Sequence, residues 1–416
     1  MIKKWLTWTI VLCLVFGLGL KGWTAGKTTI SWWVPNWDEP VVRELVAEFE
    51  EKNPDIAVKI VITTWDTMAN KILLALMSGN TPDLITELES RIKLYAARGL
   101  LTNLDPYYAK DLNQDDFISS ALELNSYNGS IYGMPFRHDG SGMLYNKDMF
   151  RKAGLDPDEF PKTWQEYLEV ANKLTIDTDQ DGRIDQYGLA WPLGNQANAT
   201  TRYIQLLYSF GGDILSEDGS RCLLDSEQAI KAMQQLRDTI VKSKVAPRSS
   251  MELDNTTLRG LFINQKIAMY VGGQFDIAPI QKEAPDIDLG TAVIPGPGGM
   301  GTTTVNGFSL ILPQEAKHPE EAWRLIKFVA EPENMARLTD TFPGRKSALE
   351  LAKFNQELLK PFARQLEKGK SEPSFNDWPE MEKVLYYYLQ KVILDEMDVE
   401  QAMKSVTVEI NKILKN

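Results

Sequence analysis

Between Glu39 and Asn53 the apolar residues Val41, Val42, Leu45, Val46 and Phe49 recur at three- and four-residue spacing, which predicts a helix with one buried face. Pro40 is tolerated in its first turn. On either side the pattern changes. Thr29 to Pro35 (TISWWVP) and Ile56 to Ile62 (IAVKIVI) are nearly continuous apolar runs, and the second is β-branched, as a strand covered on both faces should be. Thr67 to Ser78 returns to helical spacing, with Met68, Ile72 and Leu76 four apart and Gly79 as a stop. Asp83 to Leu88 gives a third strand. This strand–helix alternation predicts a parallel, doubly wound α/β sheet with helices on both faces.

From Pro161 the chain becomes more helical, with helix-length periodicity over Trp164–Leu174, Thr200–Phe210 and Ser226–Lys242. Strand-like runs follow at Lys266–Val271, Ile287–Ile294 and Val305–Leu312, then a helix at Pro319–Ala330. In the last helix Val399, Ala402, Met403, Val406, Ile410 and Ile413 share one face. There is no internal repeat and no Pro/Gly/Ser-rich linker, so two lobes would have to share strands that cross between them. That arrangement is a hinge, not a tether.

The first residues read as an export signal. Lys3 and Lys4 precede Trp5–Leu20, an uncharged stretch short of the ~20 residues a membrane span needs. Cleavage is expected near Ala25–Gly26, giving a signal peptide over 1–25 and a periplasmic or secreted product; retention as an anchor is the alternative. Cys13 sits too early for a lipidation site, and Ile10, Val11 and Leu12 before it are not small. Of 416 residues, 43% are hydrophobic and 25% charged, enough for more than one core and unlike collagen-like or disordered chains. The net charge is −12, and removing Lys3, Lys4 and Lys21 takes it to −15, which argues against a nucleic-acid partner. Two Cys and two His exclude a disulfide framework and a histidine-ligated zinc enzyme.

A series of ordered segments spans the chain after the leader. They are "TISWW" with "VVRELVAEFEEKNPDIAVKI", "PDLITELESRIKLYAARGLLTNLDPY", "YNGSIYGMPFRHDGSGMLYNKDMFRKAGL", "PKTWQEYLEVANKLT", "DQDGRIDQYGLAW", "NGFSLILPQEAKHPEEAWRLIKFV" and "VEQAMKSVTVEINKIL". In this order the chain resembles the extracellular solute-binding proteins of carbohydrate ABC importers, the group that includes maltose-binding protein. The resemblance implies a two-lobed periplasmic binding protein fold, each lobe a mostly parallel sheet flanked by helices, joined by a three-strand hinge. Its crossings fall near Asp139–Gly142, Asn306–Leu310 and Asp340–Arg345. The implied lobes are 26–139 with 309–342, and 140–308 with 343–416. Gly140, Gly142, Gly307 and Gly344 would supply permissive backbone for hinge closure. The implied function is capture of a sugar and its delivery, unaltered, to the permease subunits of an importer, by a monomer that requires no cofactor.

The chemistry of such a site is aromatic plates for the C–H face of a sugar and polar side chains for its hydroxyls. Trp37 and Trp65 lie just beyond the C-terminal ends of the first two strands, where open α/β sheets bind ligands. Glu87 occupies that place after the third strand, with Glu89 close by. By resemblance, Asp139 is a sugar-contacting carboxylate flanked by Arg137 and His138. Trp191 follows the strand-like "YGLAW". Gln274 and Phe275 match a segment that often offers an aromatic, here with Gln for the usual Trp. Asn306 and Arg345 sit at crossings and could bond hydroxyls, and Trp378 could stack on sugar or belong to the core. Trp164 and Trp323, inside amphipathic helices, read as core.

Two motifs fall outside sugar binding. Gly296, Gly298 and Gly301 fit G-x-G-x-x-G, but strand-like sequence follows instead of a helix, so a hairpin turn is expected. Asp177, Asp179, Asp181, Arg183 (through its carbonyl) and Asp185 match the front of a calcium loop, yet position 12 is Gly188, leaving structural Ca²⁺ and a bare polar turn both open. Two rival functions also stand. Paired carboxylates such as Glu87 and Asp139 could serve a secreted glycoside hydrolase, and a non-sugar, cationic solute would suit the acidic chain.

Overall fold

The computed structural model describes residues 26–366, 368–371 and 377–415, apart from the side chains of Trp65, Asp66 and Ala69. The expected leader, 1–25, and the ring of Trp65 lie outside the described residues. Strand β1 (Thr28–Pro35) is flanked by β2 (Ile56–Thr63) and β3 (Leu84–Leu88), all parallel. Helices Glu39–Lys52 and Trp65–Ser78 connect them, the second ended by Gly79 in the left-handed conformation at φ 68°.

The sheet continues through β4 (Met134–Asn146), β5 (Tyr187–Leu189), β6 (Ile267–Gly273), β7 (Leu289–Ala292), β8 (Thr304–Ile311) and the short β9 (Lys370–Ser371). The spatial order is β2-β1-β3-β8-β4-β6-β5, with β7 also on β4 and β9 on β8. Strand β4 joins the two lobes. Up to Gly140 it pairs antiparallel with β8; from Ser141 it pairs with β6 and β7. The sheet is therefore mixed, where alternation alone predicts mostly parallel pairing. The connections within each lobe give parallel neighbours, but strands that return from the other lobe enter antiparallel.

The third expected crossing is not a strand. It meets β4 at one bridge, where His138 N–H donates to the Phe342 carbonyl at 2.8 Å. The crossing glycines do not use positive φ either. A Cβ on Gly307 would lie 1.9 Å from the Arg137 carbonyl oxygen, so glycine is there to let two backbones approach.

One core gathers Ile30, Trp32, Leu45, Phe49, Phe308, Leu310, Trp323 and Ile326. Another gathers Tyr145, Trp164, Trp191, Tyr203, Leu236, Met381, Leu385, Met403 and Ile410. A smaller cluster, including Leu144, Tyr270, Phe342 and Phe362, lies beside the crossings. Ala348 belongs to the first core, and Arg345 and Ser347 are tied to Asp116. Residues 345–348 thus pack against the first lobe. Pro295–Gly296 and Gly299–Met300 form a small hairpin, as the absence of a following helical pattern predicts.

Candidate functional site

Alternate residues of a strand share a face, so Arg137, Asp139 and Ser141 of β4 point the same way across the junction of the lobes. Opposite them on β8, Phe308 pairs with Arg137 and Asn306 with Asp139. Arg137 is buried. Its Nη2 donates to Asp38 Oδ1 at 2.7 Å and to the Leu338 carbonyl at 3.1 Å, and it forms an ion pair with Asp340 at 3.2 Å. The guanidinium lies 5.5 Å over the Phe308 ring, and Trp37 meets the same ring edge-on at 5.7 Å. Burial opposes the Arg137 charge, but Asp38 and Asp340 hold its pKa above the ordinary value. Burial likewise raises Asp38, against the pull of Arg137. Arg137 therefore links β4, β8 and the third crossing.

Asp139, the next residue on that face, keeps some solvent access and has no hydrogen-bond partner among the described residues. Burial pushes its carboxyl up to about 7, opposed by Arg137 and His138 and helped by Asp340 and Glu89. Near neutrality this group can both accept and donate. Trp37 stands nearby, 38% exposed.

Beyond the crossing, Ser141 Oγ accepts from Arg202 Nη1 and Gln205 Nε2, each at 2.9 Å. Gln205 also donates to Thr304 at 3.0 Å. Both residues come from one face of helix Gln196–Ser209. Gly273 pairs with Ser141, so Gln274 leaves the sheet beside this network. It is 2% exposed, and neither amide atom has a partner. The Phe275 ring occupies the space a Cβ on Gly273 would need, 2.1 Å away.

Other expected site residues are placed differently. Glu87 is fully buried and receives hydrogen bonds from Leu88 N–H at 2.8 Å, Tyr95 Oη at 2.9 Å and Arg91 Nη1 at 3.3 Å; it serves the first lobe's interior. Trp191 is in the second core, its ring N–H bonded to Thr239 at 2.9 Å and its face stacked on Trp164. Arg345 is bound to Asp116 at 2.8 Å over Phe117. His138 is on the back of β4, between Glu89 at 3.2 Å and Ser120 at 3.0 Å. Asn306 accepts from Ser90 N–H and Gly307 N–H. Trp378 is half-buried against the second core. The fold thus brings Trp37, Arg137, Asp139 and Asn306 together with Gln274 and Phe275 along β4. It adds Asp38, Ser141, Arg202, Gln205 and Asp340, which no sequence pattern singles out.

Residues 36–336 match the sequence family described as bacterial extracellular solute-binding protein. The chain belongs to this family. Its members are binding proteins, not enzymes. The binding protein is 25% identical to the arabinooligosaccharide-binding protein of Bacillus subtilis over 351 residues, 78% of this chain and 76% of that one. A solute-binding protein of an ABC transporter from Thermotoga lettingae, solved with α-D-tagatose, superposes with a TM-score of 0.84 at 25% identity, covering 93% of this chain and 100% of that one. The sugar-binding protein MalE of Xanthomonas citri shares the fold, with a TM-score of 0.80 at 24% identity and coverage of 93% and 98%. Among the described residues of the binding protein, no helix is long and apolar enough to cross a membrane.

In the acidic loop, Asp177, Asp179 and Asp185 each bring a carboxylate oxygen within 4.8 Å of the others. Asp181 is not part of that group; its Oδ1 accepts from Arg183 N–H at 2.7 Å. Three converging carboxylates fit one hard cation.

Proposed function

We propose that this binding protein captures a sugar or short oligosaccharide between its lobes and hands it, unaltered, to the permease of an ABC importer. The observation that carries the reading is the single face of β4 on which Arg137, Asp139 and Ser141 join polar groups of both lobes, with Trp37 as an aromatic plate at one end. A polyhydroxylated ring suits these mixed donors and acceptors, and the names of the relatives support the same class. Bridging both walls would favour a closed state by the ligand's differential affinity for it. A hydrolase pairing Glu87 with Asp139 is not supported, because Glu87 is sealed in the first lobe by three hydrogen bonds. We further assign a cell-envelope location reached through residues 1–25, a monomeric state, and one structural Ca²⁺ on Asp177, Asp179 and Asp185.

The test is thermal shift and tryptophan fluorescence with maltotriose, arabino-oligosaccharides, mannobiose and tagatose, together with native mass spectrometry for a co-purifying hexose oligomer. A raised melting temperature with at least one sugar is expected. Failure of every sugar, with a response to a polyamine or a cationic peptide instead, would overturn the reading.

A further inference from the structure

Among the described residues, Gln274 is a buried side chain beside the crossing whose amide oxygen and nitrogen both lack a partner. It follows Gly273, whose register partner is Ser141, and opens the short turn Gln274–Asp276. That turn is held from both ends: the Phe275 ring lies against Gly273, and Asp276 accepts from Arg259 Nη1 at 2.9 Å and from Gly273 N–H at 3.3 Å. Gln274 on this turn is 98% removed from solvent, and its Oε1 and Nε2 are both unpaired. Leaving two buried polar atoms without partners is unfavourable, and an apolar side chain of similar size would avoid it. A carboxamide offers one acceptor and two donors in a plane, matched to two hydroxyls on neighbouring carbons. An aromatic ring in the same place would cover a C–H face and discriminate little between hydroxyl patterns.

We propose that Gln274 sets the specificity of the second lobe by binding the vicinal hydroxyl edge of the sugar, so that this lobe reads hydroxyl pattern and the aromatic plate of the first lobe supplies area. The inference rests on the sugar reading above. A site built to bond a hydroxyl rejects the analogue that lacks it far more strongly than an apolar pocket rejects a missing methylene.

The experiment compares the unmodified protein with Gln274→Leu and the isosteric Gln274→Glu. Each is titrated calorimetrically with the tightest binder among maltotriose, arabinotriose, mannobiose and tagatose, and with monodeoxy forms of that sugar. Gln274→Leu should weaken the parent sugar by about 100-fold. It should also shrink discrimination against one deoxy form from about 100-fold to below about tenfold. Without ligand, Gln274→Leu should melt higher than the unmodified protein, because it removes the two unpaired atoms. Gln274→Glu should lose affinity while keeping the volume. Parent binding within about threefold in Gln274→Leu, equal losses for parent and every deoxy form, or a lower ligand-free melting temperature would each overturn the proposal. If the unmodified protein binds none of the sugars, the sugar reading itself fails and this inference falls with it.

Discussion

Replacing Asp139 with Asn asks whether the crossing strand carries a group that titrates near neutrality. Burial holds this carboxyl at about 7 against an ordinary 3.8. The folded protein then keeps a proton that the unfolded chain has already released. Stability from this group is therefore fully present below 3.8 and is lost as pH rises through about 7. At ~1.4 kcal/mol per pH unit, the two units between about pH 5 and about 7 correspond to about 3 kcal/mol. Residual solvent access at Asp139 screens part of this, and about 2 kcal/mol is the expected loss. Urea unfolding of ligand-free protein at about pH 5 and about pH 8 measures it, with Asp139→Asn cancelling the background of other groups. The unmodified protein should lose about 2 kcal/mol more than the variant between the two conditions. A sugar hydroxyl donating to Asp139 favours the ionised form, so binding should tighten as pH rises and should release a proton, seen as a buffer-dependent calorimetric heat. A difference below about 0.5 kcal/mol between the two proteins would refute the reasoning, because Asp139 would then titrate as an ordinary surface carboxylate.

Other perturbations test separate parts of the argument. Arg137→Met strands the buried Asp38 carboxylate and should cost about 3–5 kcal/mol in urea unfolding, whereas Arg137→Met with Asp38→Asn should recover most of that loss; equal losses in both would mean the pair is not what holds Asp38. Trp37→Ala should weaken sugar binding by roughly tenfold, as expected for loss of an aromatic plate, with little change in melting temperature. Unaltered affinity would remove Trp37 from the site. Millimolar Ca²⁺ should raise the melting temperature, and Asp179→Asn should abolish the rise; an unchanged melting temperature would leave the acidic loop as a polar turn.

The elements were legible in sequence because long amphipathic helices and β-branched runs carry their own periodicity. Helices 39–52, 164–173, 319–330 and 399–413 fall within a residue or so of where the pattern puts them. The site was harder. A strand end points toward a cleft only if the following residue stays on that edge. After β3 a helix begins at once at Glu89, which carries Glu87 inward, and after β5 the chain folds Trp191 into the second core. The surroundings of Arg137 are not legible in its own strand, since its partners Asp38 and Asp340 come from segments that only the tertiary fold brings together. Ser141 and Gln205 meet across 64 residues, a contact that no local pattern encodes.

Strand β4 is common property of both lobes, and each lobe also recruits late sequence: the first needs residues as far as Ala348, the second needs Val399–Ile413. Neither half can therefore be cut out as one uninterrupted piece of polypeptide. A growing chain holds two unfinished bodies together until Val399–Ile413 has been made. Nicked or truncated forms would be expected to forfeit ligand capture altogether, instead of keeping half of it.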